Sequence, residues 1–202
     1  MDLWAVVPVK PLVEGKSRLA GVLAEEKRVL LGQAMLELTL KTLSAVAEID
    51  KILVISRDPL VFSLAQKIGA ETLLEDCRPE LNASLDCATR CAAAGAAGSL
   101  LILPVDLPLV SAEDIRGLIH CGRFSPGIVI APDRHRNGTN ALMATPPGII
   151  PYCFGAGSFN RHIAAAEKSS IPVEICETAS FGLDIDLPED LDDLKRLGVT
   201  LF

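Results

Sequence analysis

Aromatic side chains are scarce in this chain of 202 residues: one Trp, one Tyr and six Phe, 4% of the total. Stacking platforms for single-stranded nucleic acid need more of them. A basic excess is missing too. Nineteen Lys and Arg face 26 Asp and Glu, a net charge of −7, so the electrostatic footprint of a broad nucleic-acid binder is absent. No apolar run approaches the ~20 residues of a membrane span, and Met1-Asp2-Leu3-Trp4 lacks the positive start of a signal peptide. The six cysteines, Cys77, Cys87, Cys91, Cys121, Cys153 and Cys176, form no C-x-x-C pair. That disfavours a zinc site or a disulfide framework and predicts reduced thiols buried as small hydrophobes. The expectation is a soluble cytoplasmic protein whose partners are neither nucleic acid nor membrane.

What is present is apolar bulk. Half the residues are hydrophobic and 22% are charged, which rules out disorder. The length suits one real core, with about 70% of the unfolded surface buried, and no Pro/Ser-rich linker divides it, so residues 1–202 are expected to form a single domain. Short apolar runs at Leu3–Val9, Lys51–Ser56, Thr72–Leu74, Leu100–Pro104, Ile128–Ala131, Ala141–Ala144 and Val173–Ile175 read as strands. Between them, helical spacing or start signals mark Glu25–Val46, Asp58–Gly69 with Pro59 at its first position, Ala-rich Leu81–Ala97, a helix capped by Ser111 and Asp114, Ser158–Lys168 and Pro188–Leu197. Strands alternating with helices predict an α/β sandwich around a mostly parallel sheet. In such sheets ligands sit beyond the carboxyl ends of the strands.

The acidity is local. Residues 174–193 hold eight acids and no Lys or Arg, while the first 173 residues carry a net charge of only −1. Within this segment Asp184 and Asp186 alternate with Ile185 and Leu187, so an extended backbone points both carboxylates one way. Two such carboxylates repel unless a cation separates them. Asp186 reads equally as the N-cap of the last helix, and Glu189, Asp190, Asp192 and Asp193 as acids complementing that helix's dipole.

The matching cations lie at the other end. Lys10, Lys16 and Arg18 follow the first strand around Gly15, an arrangement suited to a polyphosphate. Gly15-Lys16-Ser17 matches the end of a Walker A loop, but Lys10 stands where its first Gly belongs. Asp106, between Pro104 and Pro108 after an apolar strand, is a candidate Mg²⁺ ligand, with an Asp turn as the alternative. Asn137-Gly138-Thr139-Asn140 leads into a strand after a basic turn, Asp133–Arg136. Gly155-Ala156-Gly157-Ser158 opens a helix, a backbone geometry that receives anions. Asn82 and Ser84 open the Ala-rich helix, where Asn82 is either a cap or a contact to base or ribose. His162 reads as structural or as a hydrogen-bond donor. No Ser–His–Asp order or metal-spaced His pair supports hydrolase chemistry.

Taken in order, V-P-V-K-P with G-K-S-R-L, L-N-A-S-L, P-V-D-L-P, N-G-T-N-A-L, F-G-A-G-S-F-N-R-H and D-I-D-L-P-E-D-L resemble one family over essentially the whole chain. It is that of the 2-phospho-L-lactate guanylyltransferases, archaeal enzymes of deazaflavin coenzyme (factor 420) biosynthesis whose bacterial relatives use phosphoenolpyruvate. The resemblance implies a glycosyltransferase-A-like nucleotidyltransferase fold with a mixed sheet. It implies GTP and 2-phospho-L-lactate (or phosphoenolpyruvate) as substrates, and lactyl-2-diphospho-5′-guanosine and pyrophosphate as products. Mg²⁺ would sit at Asp106, Asp184 and Asp186, the small acid at Thr139, Asn140, Gly155 and Ser158, and the nucleotide against Pro8, Lys10, Lys16, Arg18, Asn82, Ser84 and Asp106. Lys10, Lys16, Arg18 and Asp106 would be catalytic, and the protein a homodimer. Relatives are expected to carry Gly before Leu81-Asn82, where this chain has Glu80.

Overall fold

The computed structural model describes residues 2–76, 80–122 and 126–199. Strands β1 (Leu3–Pro8), β2 (Lys51–Ser56), β3 (Glu71–Leu74), β4 (Ser99–Ile102), β5 (Gly127–Pro132), β6 (Thr139–Thr145) and β7 (Val173–Ile175) form one sheet in the order β3-β2-β1-β4-β6-β5-β7. Among the described residues β6 alone runs against its neighbours, β4 and β5; the other pairings are parallel. Reversal of β6 puts its first residues at the same end as the last residues of β1 and β4. Loops from distant parts of the sequence therefore meet there. β1, β4, β5 and β6 are buried almost throughout, as strands covered on both faces must be.

The helices are α1 (Glu25–Ser44), α2 (Pro59–Lys67), α3 (Leu81–Ala94), α4 (Ala112–Cys121), α5 (Ser158–Lys168), α6 (Ala179–Gly182) and α7 (Pro188–Arg196). Strand alternation sorts the core into two layers. Ala5, Val7, Val54, Leu101 and Met143 pack with Leu36, Leu40 and Leu43 of α1 and Ile115 and Leu118 of α4. Val6, Ile55, Leu100, Ile102, Ile130 and Leu142 pack on the other face with Leu85 and Ala88 of α3 and Phe159 of α5. The start signals act locally as expected. Asp58 accepts the Leu60 N–H at 2.9 Å, and Ser111 accepts that of Asp114 while Asp114 accepts that of Ser111.

A third, smaller cluster positions the site. Leu19 follows the basic loop, Leu31 and Met35 belong to α1, and Leu183, Ile185 and Leu194 come from the acidic tail. Leu19 and Ile185 are fully buried, and each neighbours a charged residue that is not: Arg18 on one side, Asp184 and Asp186 on the other. Burial of each such aliphatic side chain is worth roughly 1.5–3 kcal/mol. These apolar residues therefore hold opposite-charge segments against each other from far ends of the chain.

A bulge shapes the start of β6. Ala131 pairs with Ala141 but Pro132 pairs with Thr139, leaving Asn140 as the extra residue. An extra residue shifts the alternation by one. Thr139 consequently joins the α5 face of the sheet, whereas Asn140 joins the face that carries Phe181.

Of the described cysteines Cys176 is buried and Cys87, Cys91, Cys121 and Cys153 are half-buried, all as free thiols. This corrects the expectation of general burial: four of them sit at helix ends, helix flanks or loops rather than in the sheet. Burial, with Cys121 alongside, pushes the Cys176 thiol up to about 11, which suits an inert thiol. Cys77 lies outside the described residues. Among those described, no helix is long and apolar enough to cross a membrane.

Candidate active site

Lys16 adopts a left-handed backbone (φ 52°) at the edge of a short 3₁₀ turn, Ser17–Leu19, which the sequence presents as plain loop. The turn drives the Lys16 ammonium inward. Its Nζ lies 3.3 Å from Asp106 and 3.9 Å from Asp186, with 10% of the side chain exposed. Arg18 donates to Asp186 at 2.8 Å and stays largely exposed. The tail is clipped to the Asp106 turn by its backbone, Ile185 N–H to the Asp106 carbonyl at 2.9 Å. Lys10 points into solvent at the end of β1, and among the described residues it makes no ion pair. Pro8, half-buried, ends that strand.

Asp184 is the most crowded carboxyl of the group. Burial, then the charges of Asp106 and Asp186, raise its pKa, against a lowering hydrogen bond from the Asn140 amide. Like charges gathered at a half-buried place call for a cation, and Lys16 meets part of that need. Among the described residues no group of three or more His, Cys, Asp or Glu is drawn tight enough to hold a metal ion. Mg²⁺ does not require such a cage, since it binds through one or two carboxylates with water and substrate phosphates. The donor set thus fits a cation brought in with a polyphosphate better than a resident metal.

The second half of the site faces α5. Asp133 accepts N–H bonds from His135, Asn137 and Gly138 at 2.8–2.9 Å, coiling the turn that precedes β6. A Cβ on Gly138 would lie 2.9 Å from the Asp133 carboxylate, so a larger residue there would press on the group that accepts these three bonds. Gly155 (φ 114°) and Gly157 (φ 71°) shape the entry to α5, and Phe159 N–H bonds the Asn137 carbonyl at 3.3 Å. Ser158 and His162, four residues apart, share the buried face of α5, and His162 Nδ1 lies 3.0 Å from Thr139 Oγ1. Thr139, Gly155 and Ser158 are therefore brought together. Asn140 is not: the bulge turns it to the other face, where its amide holds the Phe181 carbonyl at 2.8 Å and reaches Asp184 at 3.4 Å.

Asn82 is neither cap nor free. Glu80 occupies the N-cap of α3, and the Asn82 amide grips the Phe154 backbone from both sides, accepting its N–H at 2.8 Å and donating to its carbonyl at 3.2 Å. Ser84 is buried and bonds Glu75 and the Glu80 carbonyl. Glu75 in turn pairs with Arg57, which also pairs with Glu14 of the basic loop. Both side chains brace loops around the site, and a direct contact to base or ribose would require them to exchange partners.

The tail acids have separate duties. Asp190, 4% exposed, accepts the N–H groups of Asp186 and Leu187 at 2.9 and 2.6 Å and pairs with Arg134 at 2.5 Å. The N-cap position itself is Leu187, which leaves the Asp186 side chain for Lys16 and Arg18. Sequence reasoning missed Arg134, read there as part of a basic turn. Its contacts to Asp190 and Asp193 join the turn after β5 to α7.

His162 is fully buried. Burial, with Arg161 adding to it, holds its pKa at about 4, against 6.5 for an exposed imidazole. Between those values the unfolded chain binds a proton that the folded chain does not, so stability falls as pH drops through that window. The loss amounts to about 3 kcal/mol. Urea unfolding at pH 7.5 and 4.5 checks it: the fall in stability is expected to be smaller by that amount in His162→Gln than in the parent.

Two cavities of about 760 and 740 Å³ open elsewhere. Neither is lined by Lys16, Asp106, Asp184, Asp186 or Thr139. The candidate residues gather instead at the ends of β1 and β4 and the start of β6.

A mixed sheet in this order is the fold of the nucleotide-diphospho-sugar transferase-like class of α/β proteins. Solved structures agree on the fold. A nucleotidyl transferase from Methanothermobacter thermautotrophicus superposes with a TM-score of 0.73 at 17% identity, covering 97% of each chain. CMP:2-keto-3-deoxy-manno-octonic acid synthetase complexed with CTP superposes with 0.69 at 15%, covering 98% of each. Within that class the chain belongs to the family described as guanylyl transferase CofC like, whose model matches residues 3–198. It is 41% identical to the phosphoenolpyruvate guanylyltransferase of Rubrobacter xylanophilus, covering 98% of this chain and 96% of that one. It is 40% identical to the protein of the same name from Sphaerobacter thermophilus, covering 96% and 93%. Both relatives are bacterial, whereas the sequence resemblance pointed to archaeal enzymes.

Proposed function

We propose that this chain transfers GMP from GTP to a small acid that carries a phosphate on the carbon next to its carboxylate, releasing pyrophosphate. The observation that carries this reading is the position of Lys16, wedged between Asp106 and Asp186 at the sheet end that also holds Thr139 and Ser158. Lys10 and Arg18 are exposed at that end and can reach a triphosphate. Lys16 can turn from carboxylate to phosphate as the nucleotide enters. Asp106, Asp184 and Asp186 would then hold Mg²⁺, which when bound neutralises phosphate charge and orients the reacting groups. Gly155, Ser158 and Thr139 bind and orient the acid.

No general base is required. The second pKa of a phosphate monoester is near ~6, so the attacking oxygen is already ionised at neutral pH. His162, buried and bonded through both ring nitrogens, does not move a proton in this scheme. The residues act by positioning and by charge neutralisation.

The names of the curated relatives favour phosphoenolpyruvate as the acceptor, where the sequence resemblance points to 2-phospho-L-lactate. The test is pyrophosphate release from GTP, ATP, CTP and UTP, each paired with each acid in the presence of Mg²⁺. GTP with phosphoenolpyruvate is expected to give the highest rate. Equal rates with all four nucleotides, or release that does not depend on the acid, would refute the proposal.

A further inference from the structure

His162 is engaged at both ring nitrogens, and the two bonds together fix where its proton lies. The Cys153 N–H points at Nε2 from 2.9 Å. A backbone amide only donates, so Nε2 offers a lone pair and carries no hydrogen. A neutral imidazole has one N–H, which therefore resides on Nδ1. Nδ1 lies 3.0 Å from Thr139 Oγ1, and in that state it only donates. The Thr139 oxygen is thus the acceptor, and its own hydroxyl proton is directed elsewhere. Among the described residues no other partner takes it.

We propose that His162 is a positioning residue: by donating from Nδ1 it commits the Thr139 hydroxyl to donate its proton to an anionic oxygen of the acceptor acid. This rests on the reading of Thr139 as part of the acid-binding half of the site, and adds to it a direction and a cause. A threonine hydroxyl free to rotate donates or accepts with little preference. One whose lone pair is already taken offers its proton, and that favours an anion over a neutral or cationic group.

The arrangement is braced on each side. The Phe154 ring meets His162 edge-on, with centroids 5.0 Å apart and planes at 71°, which fixes the tilt of the imidazole. The Cys153–Phe154 backbone that supplies the Nε2 bond is held by Asn82 on both polar groups of Phe154, and by Arg161, which donates to the Cys153 carbonyl at 2.8 Å. A chain of contacts thus runs from Asn82 on α3 through the Phe154 segment and His162 to Thr139. It gives Asn82 a supporting part in acid binding rather than in reading a base. Burial of the ring keeps it in the neutral state that this requires.

Two measurements on the full chain test it. Two-bond ¹H–¹⁵N correlation of His-labelled protein at pH 7 reads the tautomer directly, without any substrate. The expected pattern is a protonated Nδ1 and an unprotonated Nε2; an Nε2–H tautomer or an imidazolium overturns the proposal. Calorimetric titration with phosphoenolpyruvate reads the consequence. His162→Gln can keep an acceptor for Cys153 but loses the donor to Thr139, whereas His162→Asn can keep a donor near Nδ1. Loss of a bond to a charged oxygen weakens binding by about tenfold or more. His162→Gln and Thr139→Val are each expected to show that loss for phosphoenolpyruvate, with affinity for GTP unchanged. His162→Asn is expected to recover most of it, and the double variant His162→Gln/Thr139→Val to be no weaker than Thr139→Val. Additive losses, or an equal weakening of GTP and acid, overturn the proposal. An Nδ1–H ring in a parent protein that binds no phosphoenolpyruvate refutes the acid-binding reading itself, and the proposal then falls for want of a target.

Discussion

Asp106→Asn is expected to lower guanylyl transfer about a thousandfold, or ~4 kcal/mol, if its carboxylate holds the cation as proposed. The fold should survive the change. The bond that clips the tail to this turn uses the Asp106 backbone carbonyl, which the substitution keeps, and the side chain is partly exposed. Lys16 loses its nearer carboxylate but retains Asp186 at 3.9 Å. Initial rates of pyrophosphate release, with thermal melts as the control for folding, read the two effects apart. A variant that melts like the parent and turns over within threefold of it would remove Asp106 from the chemistry.

Asp190→Ala is expected to do the opposite, removing about 2 kcal/mol of stability. Its carboxylate is almost wholly buried, caps two backbone N–H groups and pairs with Arg134, whose guanidinium would be left half-buried with Asp193 as its remaining partner. Loss of a helix cap costs about 1 kcal/mol, and loss of an ion pair whose Arg134 side chain is 38% exposed adds about 1. Asp186→Asn, four residues away, is expected to leave the urea midpoint nearly unchanged while abolishing turnover, because its side chain meets Lys16 and Arg18 rather than the helix. Exchange of these two phenotypes would show that the cap and the cation-holding carboxylate have been assigned the wrong way round.

Local signals in the sequence carried well. Asp58 before Pro59, and Ser111 three residues before Asp114, act within one turn of themselves, so nothing distant could override them. Buried strands were legible as short apolar runs because both faces of β1, β4, β5 and β6 are covered. The start of β6 was not legible. Which face Thr139 and Asn140 take depends on a one-residue slip against β5, and no property of either residue announces a bulge. Asn82 was hidden for a similar reason: its partner Phe154 is 72 residues away. The four-residue helix α6 was too short to show a period.

The site was half legible. Clustered charge marked Lys16, Arg18, Asp184 and Asp186, a place between two prolines after an apolar strand marked Asp106, and family resemblance gave them roles. Their meeting, however, depends on Leu19, Leu183 and Ile185, aliphatic residues that attract no notice in a search for chemistry. The run of eight acids in residues 174–193 has an equally plain origin. Glu177, Asp190 and Asp193 answer Arg136 and Arg134, Asp192 and Asp193 answer Lys195 and Arg196, and Asp186 answers Lys16 and Arg18. Much of the acidic tail is the counterpart of cations elsewhere in the fold.

The central claim is that one site joins a nucleotide to a phosphorylated acid. ³¹P NMR of the protein with GTP, Mg²⁺ and phosphoenolpyruvate tests it most directly. The expected result is loss of the phosphoenolpyruvate monoester signal with the growth of a new diphosphate linkage and free pyrophosphate in equal amounts. Pyrophosphate appearing without that linkage, or an unchanged spectrum from protein that is folded and binds GTP, would contradict it.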